Sequence, residues 1–357
     1  MISLKSKTLR DYYGENPDEY SLKFIHYNVD IDRDGAEEYL KISEDLQTIY
    51  HFDKKAFLLY FSDVDNYHKM IDHLDIHNLY DEKIYLRISS EEDYNHLRQI
   101  DGFKRVKAIV SLEDLEKFSI TDINLVVQID KVKELPLTKL NQLLDTYPIK
   151  EVLLGQIPYL DHEDSYLYDI MSKMYHIDSS KKMELEKMNK ITNDLYSIHD
   201  YVAIMRQFQN DLNQFHIQDS VDGFYKIFDF IANEVSYDDD GVKETSIDNQ
   251  NLIGPVFHKK GVCESYSKYL QQMLSLIDID SIIVQGGGMK EEGGHVWNQV
   301  FMNGKWYNAD VTAASYSIHH NEEVKTCLVK DSALLYKTNT SISHICDEDF
   351  MDCSKKR

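Results

Sequence analysis

GVCESYS, GGHVWN and WYNADVT occupy positions 261–267, 293–298 and 306–312, and they decide the fold of the last third of the chain. In that order they supply Cys263, His295 and Asp310. A cysteine nucleophile needs a base that takes up its proton and a carboxylate that orients the base, and these are the three residue types present. The three strings therefore predict a Cys-His-Asp catalytic triad.

A helix is predicted directly after the cysteine. Apolar residues recur there at spacings of three and four, at Tyr266, Tyr269, Leu270, Met273, Leu274 and Leu276. Gly261, just upstream, permits a tight turn before the helix begins. Cys263 is therefore expected at or near a helix N-terminus, where unpaired N–H groups and the helix dipole favour a thiolate.

A hairpin is predicted to join the histidine to the aspartate. Asn303-Gly304 stands between two alternating apolar and polar runs, which is the typical signal of a two-residue loop. Residue 302 then pairs with 305, His295 lies opposite Thr312, and Trp297 lies opposite Asp310. This register makes His295 and Asp310 diagonal neighbours about 7–8 Å apart at the backbone. One extra loop residue would put them on opposite faces of the sheet.

The alternation also predicts two faces for this hairpin. The catalytic face carries His295, Trp297, Gln299, Asn308, Asp310 and Thr312. The opposite face carries Val296, Val300, Met302, Tyr307, Ala309 and Val311, which suits a core.

The three strings resemble the core of the transglutaminase-like superfamily of papain-like cysteine enzymes. Its bacterial members read approximately G-V-C-x-x-Y-[AS], H-x-W-N and G-K-W-Y-x-x-D-x-T. The matching residues are Gly261 to Cys263, Tyr266, Ser267, His295, Trp297, Asn298, Gly304 to Tyr307, Asp310 and Thr312. The segments 227–238 and 327–331 resemble the flanking parts of the same core, so the resemblance covers roughly 220–350. The chain departs from the family at Ser265 and at Ala313-Ala314.

The resemblance implies an α+β catalytic domain in which a helix bearing Cys263 packs on an antiparallel sheet carrying His295 and Asp310. It implies attack on a peptide or protein amide through an acyl-enzyme, with hydrolysis by a peptidase or amidase as the first expectation. Transamidation of protein glutamine and a catalytically inert peptide-binding module are the alternatives. Candidate residues of the substrate cleft are Trp297, Gly294 and Tyr266. A backbone N–H at Cys263 is expected in the oxyanion hole, and residues 248–251 and the Trp297 indole are candidates for its second donor.

Composition restricts the partners. The formal net charge of −23 over 357 residues argues against nucleic acid and against an anionic membrane surface. No apolar run approaches the 18 or so residues of a membrane span, and the N-terminus lacks the pattern of a signal peptide. The four cysteines form no C-x-x-C pair. These features make a cytoplasmic location the expectation, with export that needs no signal peptide left open. The peptide or protein substrate is what the resemblance implies. They do not predict an oligomeric state.

Neither a cofactor nor a metal is predicted. Asp238-Asp239-Asp240 with Glu244 lacks the spacing of a calcium loop. His319-His320 is interpreted as part of a loop, because adjacent histidines on a strand point to opposite faces and would not share a zinc ion.

The rest of the chain predicts a separate α/β domain over 1–175, a helical connector over 176–215 and the catalytic domain over 216–357. Strand-like runs alternate with helical patterns from about 56 to 160, which favours parallel strands with helical crossovers. The runs are 56–60, 84–88, 106–110, 123–127 and 151–154. Their spacing is typical of a degenerate repeat, although no consensus repeat is present. The domain carries no motif of its own, and substrate selection is the role expected for it.

Overall fold

The computed structural model describes residues 25–27, 59–61, 64–65, 67–68, 84–155, 194–239, 247–288, 294–334, 336–338 and 343–350. Its contacts divide the chain into two compact units. One comprises Met1–Asp130, Leu137–Glu186 and Thr192–Tyr201. The other comprises Lys131–Pro136, Lys187–Ile191 and Val202–Arg357. The predicted boundary at 175 lies outside the described residues and stays a prediction.

The first unit contains a seven-stranded sheet whose strands lie side by side in chain order. They are β1 (Ile25–Tyr27), β2 (Leu59–Phe61), β3 (Ile84–Arg87), β4 (Val106–Ser111), β5 (Asn124–Ile129), β6 (Ile149–Leu154) and β7 (Asp194–Ser197). The strands β1 to β6 are parallel, as the alternation of strands and helices predicted, and β7 runs antiparallel to β6. For parallel strands that are neighbours in chain order, the usual right-handed crossover would place the connecting helices on one face of the sheet.

Three helices connect the strands from β3 to β6. They are α1 (Glu91–Leu97), α2 (Leu112–Lys117) and α3 (Leu137–Leu144). Serine caps begin α1 and α2, since Ser90 Oγ accepts the Asp93 N–H and Ser111 Oγ accepts the Asp114 N–H, both at 3.0 Å. The other sheet face buries a cluster of Tyr85, Ile109, Val126 and Leu153.

The helical connector predicted over 176–215 is wrong at residues 194–197. These residues form β7, with Asp194 and Tyr196 buried on one side of the strand. Backbone hydrogen bonds to the edge of β6 outweigh the local helical pattern here, because strand formation depends on the neighbouring strand. The helix α4 (Ile198–Phe215) begins only after β7. Ser197 Oγ accepts the Asp200 N–H at 3.1 Å and so stabilises its first turn.

The second unit contains most of the helices that surround the predicted site. After α4 come α5 (Ser220–Glu234), α6 (Ile247–Gln250), a π-helical turn (Gly254–His258), α7 (Cys263–Ser275) and α8 (Val311–His319). Short 3-10 turns lie at Phe103–Arg105, Val132–Glu134 and Asp331–Ala333. The predicted apolar stripe of α7 is its buried face, on which Tyr266, Tyr269, Leu270, Met273 and Leu274 are fully enclosed.

Two sheets complete this unit. A parallel pair joins β8 (Ser236–Tyr237) to β9 (Lys260–Gly261). The larger sheet is antiparallel, with the order β12-β11-β10-β13. Its strands are β10 (Ser281–Gly288), β11 (Gly294–Met302), β12 (Lys305–Ala309) and β13 (Tyr336–Thr338). The helix α7 packs against β10 and β11.

The β11-β12 hairpin has the predicted loop and register. Asn303 and Gly304 have φ angles of 50° and 83°, as a two-residue turn of this kind requires. Met302 pairs with Lys305, and the pairing continues to Asn298 and Ala309.

The hairpin ends earlier than predicted. Strand β12 stops at Ala309, and Asp310 is the N-cap of α8, so Thr312 lies in a helix and is not opposite His295. The expected pairing of Trp297 with Asp310 is likewise absent, since the pairing of the two strands ends at Asn298 and Ala309. The carboxylate explains the change of structure, since Asp310 Oδ1 accepts the Ala313 N–H at 3.0 Å and caps the helix.

Among the described residues, no helix has both the length and the apolar character needed to cross a membrane. The same part of the chain holds no group of three or more His, Cys, Asp or Glu that could bind a metal ion. The loop predicted at His319-His320 is wrong: His319 ends α8, and the Nδ1 of each ring lies within 2.9 Å of a carbonyl oxygen one turn earlier.

Candidate active site

Cys263 is the first residue of α7 and is partly exposed. The preceding N-cap residue, Val262, has no side-chain oxygen with which to accept a hydrogen bond from the first turn. The first N–H groups of a helix have no partner within the helix. The Cys263 thiol therefore lies where backbone donors and the helix dipole favour negative charge.

Ser265 holds the start of α7 in place. Its Oγ accepts the Val262 N–H at 3.1 Å and donates to Val262 O at 3.0 Å. The Val262 N–H also lies 3.1 Å from Asn249 O. A side chain at position 261 would not fit next to Ser265, since a Cβ atom there would lie 2.2 Å from Ser265 Oγ. Gly261 forms the end of β9, so its role is this close approach and not the tight turn predicted from the sequence.

Gly261→Ala is expected to destabilise the protein by about 1–3 kcal/mol, because the new methyl group overpacks the start of α7. The double variant Gly261→Ala/Ser265→Ala removes the clashing oxygen and leaves an ordinary contact of 3.4 Å with the Ser265 Cβ. We expect it to be more stable than Gly261→Ala alone. Urea unfolding of the two single variants and the double variant measures this difference. Additive losses would contradict the steric explanation.

His295 and Asp310 form a short, largely buried pair. His295 Nε2 lies 2.8 Å from Asp310 Oδ2, and the side chains are 14% and 1% exposed. Because a carboxylate can only accept, Nε2–H is the donor. The other carboxylate oxygen caps α8, and the Thr326 hydroxyl donates to Asp310 O at 2.9 Å. Asp310 is therefore held by both its backbone and its carboxylate.

The second nitrogen of His295 serves the cysteine. Asp310 engages Nε2, so Nδ1 is left for the side-chain hydrogen bond between His295 and Cys263. Burial alone would lower the pKa of His295, but the charge and hydrogen bond of Asp310, with a further contribution from Cys263, raise it from 6.5 to about 10. The arrangement therefore favours an imidazolium beside the thiol at neutral pH.

The raised pKa predicts how stability depends on pH. A proton bound more tightly in the folded state stabilises it fully below pH 6.5, and this contribution is lost as the pH rises toward 10. The stability of the wild type relative to His295→Gln should therefore decrease between pH 6.5 and 10. Urea unfolding of both proteins across this range measures the difference. Buried tyrosines such as Tyr269 are common to both proteins and cancel, so a constant difference would exclude a raised pKa.

Two hydrogen bonds tie the cysteine helix to the histidine strand. Ser267 Oγ donates to Val296 O at 3.2 Å, and Asn298 Nδ2 donates to Ser267 O at 3.0 Å. Ser267 lies one turn beyond Cys263. Its two partners, Val296 and Asn298, follow His295 on β11. The sequence identified Ser267 and Asn298 as motif residues but gave no physical role for them. Their hydrogen bonds fix the distance between the thiol and the imidazole.

A buried ion pair holds the neighbouring segment against α7. Lys268 Nζ lies 2.6 Å from Glu264 Oε1, with the two side chains 6% and 21% exposed. The same Nζ donates to Gln250 O at 3.0 Å. The signal in the sequence was a Glu-Lys pair four residues apart on a helix, which brings the two charges together. The pair positions the end of α6 beside the residue that follows the cysteine.

The structure corrects two candidates for the substrate cleft. Tyr266 is fully buried, and its hydroxyl donates to Val235 O at 2.6 Å, so its ring lies in the core. Its burial agrees with its place in the apolar stripe of α7. Trp297 is also buried, at 2% exposure, and stacks on the His295 ring with centroids 5.9 Å apart. Gly294 begins β11, immediately before His295.

Three of the candidates for a second oxyanion donor, Trp297, Asn249 and Asn251, have other hydrogen-bond partners. The Trp297 indole N–H donates to Asn308 Oδ1 at 2.9 Å. Asn249 Nδ2 donates to Asp238 Oδ2 at 3.3 Å, and the buried Asn249 atom without a partner is Oδ1, an acceptor. Asn251 Oδ1 accepts the Ile253 N–H at 2.8 Å. The side chain of Asp248 lies outside the described residues.

Comparison with known families supports the resemblance seen in the sequence. Residues 206–311 match the model of the transglutaminase-like superfamily, and this range contains Cys263, His295 and Asp310. The match begins earlier than expected and ends before the segment 327–331. None of the curated proteins matches the chain.

Two solved structures show limited similarity. One is described as a candidate cysteine protease from Cytophaga hutchinsonii, with 18% identity, a TM-score of 0.27 and coverage of 38% of this chain and 42% of that one. The other is described as a TGase, with 15% identity, a TM-score of 0.30 and coverage of 63% and 58%. The chain thus spans about half the length of these proteins.

Proposed function

We propose that this protein catalyses acyl transfer from a peptide or protein amide through Cys263, His295 and Asp310, with hydrolysis as the main reaction. The observation that carries the proposal is the chain of contacts at the site. Asp310 accepts from His295 Nε2 at 2.8 Å, and the same imidazole is hydrogen-bonded to a cysteine at the start of a helix. The match of residues 206–311 to the transglutaminase-like superfamily supports the same reaction class.

The proposed fold of the site is papain-like. The helix α7 carries the cysteine at its N-terminus and packs against an antiparallel sheet. One strand of that sheet carries His295, and Asp310 follows the end of the next strand. Such a division places the nucleophile near the helix dipole and the base on a rigid strand, which favours a fixed geometry.

The reaction follows from these positions. With the proton already on the His295 imidazolium, the Cys263 thiolate attacks the amide carbonyl carbon to form a C–S bond. The Cys263 N–H donates to the oxyanion. Collapse breaks the C–N bond, and the imidazolium gives its proton to the leaving amine. Water, deprotonated by His295, then attacks the thioester, which releases the carboxylic acid and restores the thiol. An amine in place of water would give transamidation.

Labelling with limiting iodoacetamide from pH 5 to 9, followed by intact-mass and peptide mapping, tests the proposal. Cys327 is an internal control, since it is partly exposed like Cys263 and lies in the same chain. We expect Cys263 to be labelled first at every pH, and this preference to be lost in His295→Ala. Equal labelling of Cys263 and Cys327 would contradict the proposal and favour an inert binding module.

A second assay distinguishes the reactions. Peptide amides are incubated with the protein with and without a primary amine, and acyl-enzyme and products are followed by mass spectrometry. Hydrolysis predicts a carboxylic acid product in water alone. If product forms only when the amine is present, the main reaction is transamidation and not hydrolysis.

A further inference from the structure

We propose that Asn308 is a positioning residue that fixes the orientation of His295 through the Trp297 ring. The inference rests on the proposed triad, and no motif of the sequence assigned a role to Asn308 beyond its place on the catalytic face. The residue lies on β12, two positions before Asp310. It touches neither the thiol nor the imidazole among its hydrogen-bond partners in the described residues, so its effect has to pass through Trp297.

The side-chain amide of Asn308 is completely engaged. Its Oδ1 accepts the Trp297 indole N–H at 2.9 Å and the Gln299 amide at 3.2 Å. Its Nδ2 donates to Asp331 Oδ1 at 2.8 Å and to Val329 O at 3.3 Å. An indole N–H can only donate and a carboxylate can only accept, so these partners fix which amide atom is oxygen. The amide therefore has one orientation, in which its oxygen faces the indole.

The Trp297 ring transmits this orientation to the histidine. It stacks on the His295 ring with an interplanar angle of 18° and a centroid distance of 5.9 Å. It also packs in a buried cluster with Val284, Val329 and Leu334. Apolar contacts fill space without fixing a direction, whereas the hydrogen bond to Asn308 selects one ring orientation. The imidazole needs a defined plane, because Nε2 has to face Asp310 while the other nitrogen faces Cys263.

The partners of Asn308 are themselves fixed. The Asn308 backbone N–H and C=O bond to Val329 at 2.9 and 2.8 Å. Asp331 Oδ2 accepts the Cys346 N–H at 3.2 Å, and the Asp331 N–H donates to Cys346 O at 2.9 Å. Because the backbone is held separately, replacing the Asn308 side chain leaves the strand in place. The hydrogen bonds of the amide to Trp297, Gln299, Val329 and Asp331 are lost together, and the bond to Trp297 is the one that bears on His295.

A double-mutant cycle on Asn308→Ala and Trp297→Phe tests this inference. Trp297→Phe keeps an aromatic ring against His295 and removes the same hydrogen bond. The measured quantity is the rate of Cys263 alkylation from pH 5 to 10. We expect Cys263 to be alkylated on the order of tenfold more slowly at pH 6 in each single variant. We also expect the pH at which His295 loses its proton, and the rate changes with it, to be lower than in the wild type. The double variant should react as slowly as the single variants, because the hydrogen bond between Asn308 and Trp297 is absent in all three.

Tyr307→Ala is the matched control. Tyr307 is a buried neighbour on the same strand, and its side chain contacts Phe350 and Glu348 instead of Trp297. The substitution should destabilise the protein and leave the pH dependence of Cys263 alkylation unchanged. Wild-type rates and pH profile in Asn308→Ala, or additive losses in the double variant, would overturn the inference. If Asn308→Ala does not fold, Trp297→Phe alone decides. Loss of selective labelling in the wild type would instead refute the proposed triad.

Discussion

Replacing Asp310 with asparagine is expected to lower the rate of the Cys263-dependent reaction by about 10⁴-fold while the protein stays folded. The carboxylate has two separate functions: Oδ2 accepts from His295, and Oδ1 caps α8. Asparagine is as good an N-cap as aspartate, so its single oxygen can keep the cap. Its NH₂ group then faces His295 Nε2, which is obliged to accept.

An accepting Nε2 places the imidazole proton on Nδ1, the nitrogen that serves Cys263. A neutral ring in that tautomer cannot take the thiol proton. The loss of the carboxylate charge also leaves burial to lower the pKa of His295, which removes the imidazolium near neutral pH. Both effects act in the same direction, and neither requires any change in the fold.

The measurement is kcat/KM on the best peptide amide, together with the alkylation rate of Cys263 at pH 6 and a thermal unfolding curve. Asp310→Ala serves as the comparison, since it loses the cap as well and should also be less stable. Activity within tenfold of the wild type in Asp310→Asn would show that the aspartate does not set the histidine tautomer.

Cys263→Ala is expected to abolish turnover, with a loss of about 10⁶-fold in kcat. The variant should fold normally, because the residue is partly exposed and alanine is the best helix former at the start of α7. Its stability should stay within about 0.5 kcal/mol of the wild type. We expect the product assay on this variant to show neither acyl-enzyme nor released amine.

Cys327→Ala provides the control for this loss. Cys327 follows Thr326, which bonds to the backbone of Asp310, so it is near the site without belonging to the triad. It should retain most of the activity. If Cys327→Ala lost activity as fully as Cys263→Ala, the assignment of the nucleophile would be wrong.

The contact between His295 and Asp310 could be predicted because its signal is local. Asn303-Gly304 specifies a loop with two positive φ angles, and this loop sets the register that brings His295 toward Asp310. The end of β12 was missed although a signal existed. Val311 and Thr312 suit a strand, but an aspartate three residues before Ala313-Ala314 is also a helix start, and the capping hydrogen bond favours the helix.

Other features depend on partners that are distant in the sequence. The strand β7 exists because β6 offers a free edge about forty residues earlier, and no local pattern reports such an edge. The network of Asn308 joins residues from β11, β12 and the segment 343–350. Its members are ordinary polar residues in the sequence, and only their arrangement gives them a common function.

The chain order of the strands in the first unit has a mechanical consequence. Each of β2 to β6 is bonded to the strands that precede and follow it along the chain. A pulling force on the N-terminal end would therefore break one strand pair at a time, since each strand is bonded only to its neighbours in the sheet. We expect extension in an optical trap to proceed through small successive ruptures beginning at β1, and not through a single large event. A sheet of this order can also lose its first strand without separating the pairs that remain.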